Sequence, residues 1–192
     1  DILGVPQRSA QMQVDDAPCT EDCLEDQLGI DLLGNILVEV GMDVDRVARA
    51  GFNASELSDF NRVIERHVFG DTDQRALWLT HDFRSESGTK NVEAHPLDFT
   101  PDVHAILWSL PNGLQAYMLA DPEGSRLNTG PLEIFQDPAL PDFAVRGAVS
   151  CIGCHVTGLI FAEDIIRHDL DNGQSQTQFD QPTKDAIRNL YP

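Results

Sequence analysis

The sequence predicts an α+β fold in three stages: N-terminal helices, a central antiparallel sheet with a hairpin at 103–119, and a C-terminal helical segment. Three observations predict it. Apolar residues recur at helical spacing from Thr20 to Phe69, the period changes to alternation in the middle of the chain, and helical patterns return after Cys151-Ile152-Gly153-Cys154-His155. A chain of 192 residues with 41% hydrophobic content can bury one ordinary core. Residues 19–192 are therefore expected to form one domain, behind a polar arm at 1–18 that sustains no period and reads as mobile.

In the first stage, "DLLGNILVEV" is apolar over a wide face. "DVDRVARAG" starts at a capping Asp43 and stops at Gly51, and "NASELSDFNRVIERHV" opens with Asn53 three residues before Glu56, as a capping box does. In the second, "RALWLTHDF" places Leu77, Leu79, His81 and Phe83 on one face of a strand. "HAILWSL" and "LQAYML" flank Asn112-Gly113, a dipeptide suited to a type I′ hairpin turn, which would set Trp108 opposite Tyr117 and Leu107 opposite Met118. "DPEG" reads as a turn and "PLEIF" as one more strand. In the third, "AEDIIRHDL" and "TKDAIRNLY" read as helices around a polar linker.

Thirteen Lys and Arg against 32 Asp and Glu leave a net charge of -19, which repels nucleic acid and anionic lipid and favours a partner with a basic docking face. No run of about 18 apolar residues is present, so no membrane span is expected. The chain opens at Asp1 with no basic-then-apolar leader, so the compartment has to be inferred from chemistry.

That chemistry lies in the cysteine motif. On one helical turn, thiols at i and i+3 share a side, where each can form a thioether to a haem vinyl group while the adjoining imidazole reaches the iron. Cys151 and Cys154 are thus candidate covalent anchors for one haem c, with His155 as the proximal iron ligand. A redox dithiol would need a βαβ setting, which "PDFAVRGAVS" does not supply. A zinc knuckle would need a second spaced pair, and Cys19 and Cys23 lie far upstream. Those two cysteines are either free and buried or joined to each other.

The motif resembles those of c-type cytochromes, and covalent attachment in that family implies a periplasmic or extracellular location. With about 150 residues before the anchor, the chain does not match the class I cytochrome c fold. "WLTHDFRSESGTKNVEAHPLDF", "LPNGLQAYMLAD" and "VSCIGCHVTGLI" together resemble an uncharacterised group of bacterial monohaem c-type proteins over residues 50–165. A weaker architectural similarity is to cytochrome P460 and β-type cytochrome c′, which carry a sheet first and the haem motif late and keep an open iron site. In the P460 branch a lysine is cross-linked to the haem, and Lys90 is the one lysine before the motif.

The sixth iron position separates electron transfer from chemistry at iron. His95, stiffened by Pro96, and Met118, on the hairpin, are the leading candidate ligands, with His81 next. Arg146, just before the anchor, is a candidate partner for a haem propionate. The expected function is an exported monohaem electron carrier. Its rivals are a P460-like or peroxidase-like enzyme acting on a small nitrogen compound or peroxide, and a subunit of a larger redox assembly.

Overall fold

The computed structural model describes residues 19–36, 47–55, 57–69, 75–173 and 178–192. The expected arm, the Asp43 cap and Glu56 of the expected capping box lie outside them. The α+β class is confirmed: six antiparallel strands lie side by side in chain order. They are β1 (Val47–Phe52), β2 (Arg62–Phe69), β3 (Arg75–Asp82), β4 (Val103–Ser109), β5 (Gln115–Ala120) and β6 (Arg126–Leu127). Helix α1 (Glu21–Leu28) precedes the sheet, and α2 (Val149–Cys154), α3 (Ile165–Asn172) and α4 (Gln181–Leu190) follow it.

The helices expected over Asp43–Gly51 and Asn53–Val68 are corrected: the described parts Val47–Gly51 and Arg62–Val68 lie instead in β1 and β2, paired from Val47↔His67 to Phe52↔Arg62. Inward positions alternate along both strands, but several hold ionic groups: Arg49, Glu65 and His67 are all buried. These polar residues in core positions mask the period of two and leave a pattern that mimics the polar face of a helix. "PLEIF" is also corrected. It forms a turn in which Ile134 and Phe135 donate to the Pro131 carbonyl at 3.0 and 2.8 Å, with both side chains buried beneath the sheet.

The hairpin forms, with its register moved by one residue. Leu107 pairs with Tyr117, Ile106 with Met118 and Trp108 with Ala116. A type I′ turn needs positive φ at both Asn112 and Gly113, whereas only Gly113 in this loop has it, at 82°. Pro111 instead leads a three-residue loop in which Gly113 donates to the Leu110 carbonyl and Leu110 to that of Leu114.

This register gives the sheet two dissimilar faces. On the back, Leu77, Leu79, Ile106, Trp108 and Met118 pack against Leu24 of α1 with Ile30 and Leu32. Beside them Val47 and Val63 pack against Ile166 and Leu170 of α3 and Ile187, Leu190 and Tyr191 from the α4 end. Asp164 ties α3 to β1: it caps the helix at Ile166 N and Arg167 N and accepts from Gly51 N at 2.8 Å. A Cβ on Gly51 would come within 2.5 Å of Ile166, so this crossing requires glycine. On the front, Trp78, Leu107 and Tyr117 form one row and Val103 and Leu119 lie farther along; this is the face covered by the chain leading into α2.

An ionic group is sealed in the back face. Glu65, 1% exposed, accepts from Arg49 at 2.6 and 2.7 Å and contacts ring nitrogens of His67 and His81 at 3.1 Å. Burial alone pushes the Glu65 carboxyl upward; the facing His81, the His67 hydrogen bond and the Arg49 guanidinium outweigh it and hold it well below the usual carboxylate range. A carboxyl lowered in this way contributes stability above its unfolded value of about 4.3, and that contribution is lost as pH falls through the folded value. Glu65→Ala leaves Arg49 buried without its counter-charge and should cost about 3–5 kcal/mol in urea unfolding at neutral pH. A variant as stable as the parent would show that the pair contributes nothing.

Candidate functional site

The cysteine motif sits where α2 meets the front of the sheet. Upstream, Gly130 donates to Val145 and Gly147 to the Asn128 carbonyl, so the chain reaches the helix as a paired strap. Ser150 Oγ accepts from Arg146 N at 3.1 Å and fixes the entry turn. Ala148 carries the turn with a φ of 66°, a conformation uncommon for a residue with a side chain. It is buried together with Leu107 and Tyr117, and Trp78 and Cys151 pack against this cluster.

Cys151 and Cys154 lie on one turn of α2, as the spacing predicts. Their thiols are free of disulfide. Burial is the main cause raising the Cys151 thiol above its ordinary value, which opposes the thiolate a redox dithiol needs. Among the described residues no three His, Cys, Asp or Glu side chains gather to hold a bare ion; the motif's donors are instead laid out along a helical turn.

His155 ends that turn, donating its backbone N–H to Cys151 O at 2.8 Å. A second turn follows, in which Gly158 N–H bonds to His155 O at 3.0 Å and the His155 Nδ1 lies 3.0 Å from Gly158 O. A carbonyl can only accept, so Nδ1 carries a proton, and in the neutral ring Nε2 presents its lone pair. This is the tautomer an iron ligand requires, held by a hydrogen bond from its other nitrogen. The Tyr117 ring lies 5.7 Å from the His155 ring.

No charged residue occurs between Arg146 and Glu163, and the segment exposes Val149 (66%), Ile152 (43%), Val156 (75%), Ile160 (55%) and Phe161 (91%). An apolar surface of this kind beside paired thiols and an oriented imidazole fits a large, flat, apolar group such as a haem.

The other expected site residues are elsewhere. Met118 is 8% exposed in the back-face core. The loop bearing His95 lies toward that same face, since Pro96 O accepts from Tyr191 Oη at 2.7 Å and from Arg49; His95 itself pairs with Asp98 at 3.2 Å. His81 also faces back, 5.0 Å ring to ring from His104, which is paired with Glu21 of α1. The sheet thus separates His95, Met118 and His81 from His155. Arg146 is engaged at the surface by Asp142 through two bonds, of 2.7 and 3.3 Å. Lys90 is paired with Asp102. Sequence reasoning gives Tyr117 only a cross-strand packing role and Gly158 none. Gly158, three residues after the histidine, is a readable turn signal, whereas the face on which Tyr117 lies depends on the hairpin register.

Cys19 and Cys23 form a disulfide at the start of α1. Among the described residues no helix is long and apolar enough to cross a membrane. No family model, no curated protein and no solved structure matches the chain.

Gly158 has a φ of 102°, where a side chain is strained. Gly158→Ala should therefore lower unfolding stability by about 1–3 kcal/mol. It should also loosen His155, seen by NMR as loss of the single Nδ1–H tautomer. Retention of both stability and tautomer would show that the turn does not orient the ring.

Proposed function

We propose that this chain is an exported monohaem c-type protein that exchanges electrons, with Cys151 and Cys154 as thioether anchors and His155 as the proximal ligand. The observation that carries the reading is the His155 imidazole held by Gly158 with Nε2 available, on the turn that also presents both thiols. The bound haem would supply a one-electron iron couple. The chain's residues would tune it: the Gly158 carbonyl makes the imidazole a stronger donor, which favours the oxidised metal, and the Trp78–Leu107–Tyr117 row keeps water from the anchor side. Cys19–Cys23 supports export, because such bonds persist in oxidising compartments.

The pyridine haemochrome spectrum tests the cofactor. From cells competent in cytochrome maturation, its α band should fall at the position of a haem with both vinyl groups saturated. A band at the unsaturated position, or none, would contradict the proposal. The acidic surface suits a redox partner with a basic docking face. Electron-transfer rates with such a partner should fall as salt rises from about 10 to 150 mM, where the screening length contracts from about 30 to 8 Å. Rates indifferent to salt would mean that the charge does not steer docking.

A second reading, a haem enzyme with an open iron site acting on a small nitrogen compound or peroxide, is favoured by one observation: His95, His81 and Met118 lie across the sheet from His155. The reduced spectrum distinguishes the two. A carrier with a filled sixth position gives low-spin iron that ignores carbon monoxide, whereas the enzyme gives high-spin iron that binds it.

A further inference from the structure

Tyr117 is a side chain of the sheet that meets both ends of the cysteine motif. Its ring lies 5.7 Å from the His155 ring at an interplanar angle of 40°, and it shares a packed cluster with Cys151, Ala148, Leu107 and Trp78. It is 8% exposed, and its hydroxyl donates to Gln115 Oε1 at 2.8 Å, so the ring is held along the strand rather than free to swing. Its main chain pairs with Leu107 in the middle of the β4–β5 ladder, one of the more constrained places in the fold. The imidazole, by contrast, sits on a two-turn segment outside the sheet. One hydrogen bond, to Gly158, orients its edge. A single bond leaves rotation about the bond axis, and a ring packed against the imidazole restricts that rotation.

From this arrangement we infer that Tyr117 is a positioning residue for the proximal histidine: its ring, not its hydroxyl, fixes the plane of the His155 imidazole and screens the anchor side from water. The inference rests on the covalent-haem reading and adds to it the residue that sets the ligand's orientation. With the ring removed, the imidazole plane would spread over a range of angles and water would reach the anchor side, which would favour the charged oxidised form of a bound haem.

The test uses the matured protein and two substitutions, Tyr117→Phe and Tyr117→Leu, read by the ferric electron paramagnetic resonance line shape and by the reduction potential. Tyr117→Phe should reproduce the parent in both. Tyr117→Leu should broaden the resonance and shift the potential downward. Tyr117→Met serves as the ring-free variant if Tyr117→Leu does not fold. Leu79→Ala thins the core on the opposite face of the sheet, away from the motif, and should lower the unfolding midpoint while leaving the line shape at the parent's. A parent-like line shape and potential in a folded ring-free variant would overturn the inference. So would a Tyr117→Phe variant displaced as far as Tyr117→Leu, since the hydroxyl would then be the acting group. The haem content of the parent separates the two levels: a parent without covalent haem defeats the functional reading itself, whereas full haem content with no response at Tyr117 defeats only the positioning role.

Discussion

The pairing of Leu107 with Tyr117 across β4 and β5 is the constraint on which the site depends. Side chains in a strand alternate between faces, so this one register decides the environment of everything packed on the sheet. Leu107, Tyr117 and Trp78 meet the cysteine motif, while Trp108, Ile106 and Met118 meet α1. A slip of one residue in β5 would put Met118 on the motif's face and Tyr117 in the opposite core. The register is set by a loop in which Pro111 and Gly113 each have a backbone role that the alternative two-residue turn cannot use.

The two faces then carry different kinds of interaction. The back is closed by helices at both ends and contains the Arg49–Glu65 pair with its histidines, together with the paired His104 and Glu21. These charged groups are tied to one another, which suits a sealed interior and makes the loss of any one partner costly. The front is closed only in part. Ile134, Phe135 and Val145 cover its Val103–Leu119 end, and α2 lies at the other with uncharged, exposed residues following it. The apolar surface left in solvent is therefore concentrated next to the thiols and the imidazole.

The sequence made this arrangement legible unevenly. The Asp121–Gly124 turn and the two C-terminal helices rest on local signals and form close to where those signals put them, and the hairpin forms at the expected place with another turn and a register shifted by one residue. β1 and β2 were not legible because Arg49, Glu65 and His67 take core positions that periodicity reserves for apolar residues; their mutual neutralisation is a tertiary fact with no local signature. The candidate iron ligands show the same limit. Met118 and His95 were reasonable by residue type, but which face each serves depends on a loop length and on the path of the 83–102 connection. Conversely, the tautomer of His155 needed Gly158 to be folded back onto it, which spacing alone does not give.

The central claim is that Cys151 and Cys154 are covalent anchors, and the intact mass of the denatured, acid-extracted protein tests it most directly. The account predicts a polypeptide heavier than its sequence by one haem, about 0.6 kDa, with the gain absent when both cysteines are replaced by alanine. A bare polypeptide mass from cells that mature cytochromes correctly would contradict it.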